Sequence, residues 1–172
     1  ESVQKGLGEM QTLATGVGDL KRVLTNVKAR GSWGEVQLAS LLEDTLTTEQ
    51  YQAQVQVRPR SPERVDFAVR LPGQDEDGQV WLPIDAKFPH EDYARLVAAQ
   101  EAADPVAAEV AGKALEKALA IQAKSMSEKY IHPPHTTDFA YLYLPTEGLF
   151  AEIVRREGFA ADLRARYRVE LA

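Results

Sequence analysis

Apolar side chains recur along this chain with two periods, and the changes between them mark out its elements. Over residues 1–30, Val3, Met10, Val17 and Leu24 occupy one heptad position, and Leu13, Leu20 and Val27 another. That is the stripe of a helix that packs along a second helix. Gly6, Gly16 and Gly18 interrupt it, each costing about 1 kcal/mol relative to Ala. The stripe suits the end of a coiled coil that begins upstream, and suits equally an amphipathic helix lying on the domain. We take residues 1–30 as the coiled-coil end, through which copies of the chain associate, and residues 31–172 as a globular domain.

Gly31 ends the heptads, and Ser32-Trp33-Gly34-Glu35 has the S-x-x-E form of a capping box at a helix start. Val36, Leu38, Leu41 and Leu42 are expected on the buried face of that helix. The period then changes to two. Residues 51–57 alternate polar and apolar, residues 64–71 place Val65, Phe67, Val69 and Leu71 on one face, and residues 79–88 form a third strand. The polar stretch 73–78 is the turn between the second and third.

Helical periodicity returns over 90–100 and 105–129, broken at Asp104-Pro105. The continuous apolar run 139–144 suits a strand buried on both faces. Two short helices near 146–157 and 158–165 precede a last strand at 167–171. The order α-βββ-αα-β-αα-β predicts an α/β fold, a mixed central sheet flanked by helices.

Composition narrows the function. At 172 residues, 44% apolar and 27% charged, the chain is an ordinary globular one. The absence of cysteine excludes disulfides and thiolate metal sites and fits a cytoplasmic setting. No apolar run is long enough to span a bilayer, so no membrane contact is expected of these residues. A net charge of −6 counts against binding nucleic acid by overall charge. Metal-dependent nucleases depart from that rule, since they concentrate carboxylates and offset them with cations.

The candidate chemistry lies in the predicted hairpin. Its turn is centred between Asp75 and Glu76, and Asp66 and Asp85 are equidistant from that centre. In a symmetric hairpin they oppose each other, with Cβ atoms about 4.5–5.5 Å apart. Lys87 follows Asp85 by two residues, so the strand period puts it on the same face. Opposed carboxylates repel unless something compensates. Magnesium, or manganese in its place, is the natural compensation, being a hard cation that takes oxygen ligands. Asp66 and Asp85 would then hold the metal while Lys87 acts on the nucleophile or the developing charge, a set suited to phosphodiester hydrolysis. The plain alternative is a solvated ion-pair network in which Asp66 meets Arg64 or Lys87.

Further candidates are basic. Lys113, Lys117 and Lys124 line one face of the long helix but alternate with Glu109 and Glu116, which suits a solvated face as well as a phosphate track. Arg155, Arg156, Arg164, Arg166 and Arg168 form a denser cluster and a candidate DNA contact. His132 and His135, separated by Pro133-Pro134, read as a rigid loop.

Four segments together carry a resemblance. Gly31-Ser32-Trp33-Gly34-Glu35, the Asp66 strand ending Arg70-Leu71-Pro72, Ile84-Asp85-Ala86-Lys87-Phe88-Pro89, and residues 139–145 ahead of Glu147 resemble the RmuC family of bacterial DNA-recombination proteins, from about residue 20 onward. The resemblance implies a restriction-endonuclease-like PD-(D/E)xK nuclease core and DNA as the partner. It also implies an upstream coiled coil, often an N-terminal membrane anchor, and helices beyond Ala172. In it Asp66 matches the first strand acid, Asp85 and Lys87 the D-x-K, and Glu35 the acid of the preceding helix, a further metal ligand. Val65 stands where the signature is named for proline. Without the resemblance, Glu35 explains itself as a capping acid.

Overall fold

The computed structural model describes residues 34–72, 79–87 and 89–172. Its elements are α1 (Gly34–Thr45), β1 (Tyr51–Val55), β2 (Val65–Pro72), β3 (Gln79–Ala86), α2 (His90–Glu101), α3 (Pro105–Tyr130), β4 (Ala140–Tyr143), α4 (Glu147–Arg155), α5 (Phe159–Tyr167) and β5 (Val169–Leu171). The strands form one sheet in chain order. The pairs β1–β2 and β2–β3 are antiparallel, and β3–β4 and β4–β5 are parallel. This is the mixed α/β sheet that the order of elements predicts. The expected coiled-coil end at 1–30, the 73–78 turn and Phe88 lie outside the described residues.

The two faces of the sheet are covered unequally. Leu38, Leu41 and Leu42 of α1 pack on Phe67, Val69, Leu82, Ile84, Tyr141 and Tyr143. Helices α2 to α5 cover the other face, where Leu96, Leu115, Leu119, Met126, Leu149, Ile153 and Leu163 meet Ala68, Ala140, Leu142 and Val169. Two successive parallel crossovers of the same hand place their helices on one side, which accounts for the asymmetry. All of 140–144 is buried, as a strand covered on both faces requires.

Local chemistry sets the boundaries. Asp104 caps α3 by accepting from the Ala107 amide at 3.1 Å, with Pro105 at the first helical position. Thr146 caps α4 in the same way through the Leu149 amide at 3.1 Å. Strand β1 stops at Val55, short of the expected 57, and Gln54 within it has φ 53°, a left-handed conformation that breaks the pleat. Strand β5 begins at Val169 because Arg168 closes α5 with φ 58°. Val36, expected on the buried face of α1, is 61% exposed. It lies two positions before Leu38, and residues two apart on a helix point to nearly opposite sides.

Candidate functional site

The hairpin register is the symmetric one. Pairs run from Phe67–Ile84 to Pro72–Gln79, all equidistant from the centre between Asp75 and Glu76. The next step outward brings Asp66 to Asp85. On β3, Leu82, Ile84 and Ala86 face α1, so alternation turns Asp85 to the face covered by α3. Asp66 shares that face with Ala68.

Both aspartates are buried, Asp66 at 9% exposure and Asp85 at 2%. Asp66 Oδ2 accepts the Ala86 N–H at 3.0 Å, where the main-chain ladder of the hairpin has ended. Asp85 Oδ2 accepts from Gln122 Nε2 at 2.8 Å. Burial pushes the Asp85 carboxyl up to about 8, aided by the hydrogen bond and the charge of Asp66, while Lys87 and Gln122 act against the rise. The pair therefore holds a proton between its carboxyls near neutral pH, as two close acids in a dry setting must.

Helix α3 contributes two residues that periodicity along the chain did not single out. Gln122 is one. The other is Tyr130, whose hydroxyl donates to the Arg64 carbonyl at 3.2 Å. Its phenol is pushed up to about 12 by burial and then by the charges of Asp85, Glu63 and Asp66, which puts it within electrostatic reach of the pair. Neither carries a signature in sequence, since Gln122 is one amide on an amphipathic helix and meets Asp85 only through tertiary packing.

Lys87 lies just past the end of β3 and is exposed. Its charge lowers the Asp85 pKa, so it is close enough to act on that carboxyl. Glu35 is in the first turn of α1 and exposed, in the layer on the opposite face of the sheet. A Cβ on neighbouring Gly34 would lie 3.3 Å from Pro145, just beyond β4. The start of α1 is thus at the end of the sheet where β3 and β4 finish. Among the described residues no group of three or more His, Asp or Glu side chains gathers closely enough to hold a metal. Glu35 is accordingly not in a ready-made cluster with the aspartates.

The donor set itself suits a hard cation. Two buried carboxylates cannot both be charged without compensation, and either a proton or a divalent cation supplies it. Asp66 and Asp85 would be the residues to hold one.

The basic candidates fall elsewhere. Lys113, Lys117 and Lys124 are exposed and lie roughly 140–180° around the axis of α3 from Gln122, pointing away from the aspartates. Lys113 pairs with Glu109 at 3.4 Å. Each of the five arginines has an acid partner. Arg155 pairs with Glu152 at 2.7 Å, Arg164 with Glu170 at 3.5 Å, Arg166 with Asp162 at 3.1 Å and Arg168 with Asp138 at 3.7 Å. Arg156 is different, being 21% exposed and held by Glu116 at 2.6 Å and Glu152 at 3.4 Å. Its guanidinium lies over Gly112, 2.6 Å from where a Cβ would stand. Arg156 is a clasp between α3 and α4. His132 and His135 sit in a loop closed by the bond from the His132 amide to Thr136 Oγ1 at 2.8 Å, with a cis bond at Pro133-Pro134.

Comparison with known proteins adds a lineage to this geometry. The model of the RmuC family matches residues 1–172. The chain is 62% identical over 173 residues to the DNA recombination protein RmuC homolog of Xylella fastidiosa strain Temecula1, covering 100% of this chain and 38% of that protein. Homologs of the same description in Pseudomonas aeruginosa and Chlamydia trachomatis are each 30% identical, over 91% and 90% of this chain and 35% and 34% of their own lengths. The chain thus spans little more than a third of these relatives. No solved structure matches it. Among the described residues, no helix is long and apolar enough to cross a membrane.

Proposed function

This chain belongs to the RmuC family, and we propose that it carries a divalent-cation-dependent DNA phosphodiesterase centre of the PD-(D/E)xK type. The observation that carries the proposal is the meeting of Asp66 and Asp85, both buried, one step beyond the last pair of the hairpin register. Burying two acids together costs stability, and a metal site is a reason for a fold to bear that cost. The α-β-β-β-α-β order around them supports a restriction-endonuclease-like core. The description of the relatives as DNA recombination proteins supports DNA as the substrate.

In this reading Asp66 and Asp85 would hold Mg2+ or Mn2+. The bound cation would supply Lewis acidity toward a phosphate oxygen and a lowered pKa for water. Gln122 fixes Asp85 by holding Oδ2. Lys87, exposed at the rim, meets the scissile phosphate or orients the attacking water. Glu35 acts only through water, given its place in the layer on the far side of the sheet. The heptad stripe of residues 1–30 supports association of copies through that segment.

A second reading, a DNA-binding module without turnover, is favoured by the 2% exposure of Asp85, which leaves a phosphodiester little direct access. One assay separates the two. The chain is incubated with single-stranded, duplex and hairpin DNA and Mg2+ or Mn2+. Cleavage that vanishes with EDTA and in Asp85→Asn supports the hydrolase. DNA binding with no cleavage above Asp85→Asn in any of these conditions supports the silent module.

A further inference from the structure

Four residues before Asp85, on the same strand and by alternation the same face, stands Trp81. Their Cα atoms are about 13 Å apart. Beside the indole is a cleft of about 250 Å³ lined by Gln56, Val57, Pro59, Trp81 and His135. Three segments build it: the loop that follows β1, strand β3 and the loop between α3 and β4. The Trp81 amide donates to the His135 carbonyl at 3.1 Å, and the Trp81 carbonyl accepts from the Thr137 amide at 2.9 Å. The position of His135 is therefore tied to that of the indole.

The surroundings are basic in a way that the C-terminal arginine cluster is not. The Arg70 guanidinium stands 5.3 Å from the indole centroid. Arg58 and Arg60 flank Pro59 in the cleft wall and are exposed. Arg64 donates to the Gln54 carbonyl at 3.1 Å, and Arg70 to the Glu49 carbonyl and Gln52 Oε1, both at 2.9 Å. Those groups position the two arginines without neutralising them. Among the described residues none of Arg58, Arg60, Arg64 and Arg70 forms an ion pair, whereas all five C-terminal arginines do.

We infer that this cleft is a single-stranded DNA site, in which an unpaired base stacks against Trp81 and the flanking phosphates meet Arg58 and Arg60. An indole face held by the fold beside arginines that lack counter-ions is the combination that binds single strands without sequence preference. Gln56 and His135 offer polar edges to the base. A base within a duplex has both faces covered by its neighbours, so the cleft selects unpaired DNA. The separation from Trp81 to Asp85 corresponds to about four stacked nucleotides at about 3.4 Å each. The inference rests on the DNA-directed function proposed above and names the form of DNA that the same face receives.

The test measures binding and not cleavage. The full chain with Trp33→Phe, which leaves Trp81 as its one tryptophan, is titrated in EDTA with a labelled oligothymidylate and with a duplex of equal length. The single strand should bind more tightly and quench the Trp81 emission. Trp81→Ala should weaken binding about tenfold, and Arg58→Gln with Arg60→Gln should reduce the salt slope by about 1.4. The exposed-loop arginine changes keep the test decisive should Trp81→Ala unfold the domain. Because no metal is present, binding is read independently of cleavage, and failure of the hydrolase reading leaves this site standing. Preference for duplex, binding without quenching, or an unchanged salt slope in the arginine variant would each overturn the inference.

Discussion

Gln122 reaches across from α3 to donate to Asp85 Oδ2 at 2.8 Å, joining the long helix to the end of β3. The bond favours the charged form of Asp85 against burial and against Asp66. Gln122→Leu should therefore raise the pKa of Asp85 further and loosen its orientation. Losing such an outer partner typically costs 10–100-fold in metal affinity. Calorimetric Mn2+ titration of this variant should show a loss of about that size, with the far-ultraviolet circular dichroism unchanged. An unaltered affinity would mean that Gln122 only fills space.

The pH dependence of the metal-free chain follows from the same carboxyl. Folded, Asp85 titrates at about 8; unfolded, at about 3.9. Between these values the folded chain binds more protons, so this group's contribution to stability falls as pH rises. Asp85→Asn removes the titration, and at pH 8.5 in EDTA it should be more stable than the parent by roughly 2–5 kcal/mol. At pH 4 the two should be close. Urea midpoints at both pH values check this, and equal midpoints at pH 8.5 would contradict a buried proton-sharing pair.

Arg156 and its four neighbours should separate by role. Arg156→Ala leaves Glu116 without its cation, while Glu152 keeps Arg155, and should cost about 1–3 kcal/mol. Alanine at Arg155, Arg164, Arg166 or Arg168 removes a surface pair and should cost under about 1 kcal/mol each. Thermal melts distinguish the two classes. A loss at Arg156 no larger than at the others would show that the clasp between α3 and α4 contributes nothing.

Glu35→Gln keeps a side-chain acceptor for a capping box but removes the charge. Metal-free stability should stay unchanged, while Mn2+ affinity falls by about tenfold if Glu35 acts through water. Unchanged affinity would reduce Glu35 to a helix-start acid.

The register that opposes Asp66 and Asp85 was legible in the sequence because a polar turn and a strand period of two leave few alternatives. The succession of elements along the chain and the split between α2 and α3 at Asp104-Pro105 were legible for a similar reason, since caps and prolines act locally. The approach of Gln122 was not, because helix periodicity says which residues turn inward and not which strand residue they meet. The pairing of the five arginines was hidden in part for that reason, as Arg156 meets Glu116 from a helix later in the chain. Strand β3 ends at Ala86, and beyond a strand's end alternation no longer fixes direction, yet the charge of Lys87 still reaches Asp85.

The claim that Asp66 and Asp85 form a divalent-cation site is tested most directly by counting bound Mn2+ at pH 8, through loss of the free-ion electron paramagnetic resonance signal. The parent chain should bind one Mn2+ in this site. Asp66→Asn and Asp85→Asn should each abolish it, while Lys87→Ala retains it. No saturable binding by the parent, or binding by Asp85→Asn with unchanged stoichiometry and affinity, would contradict the account.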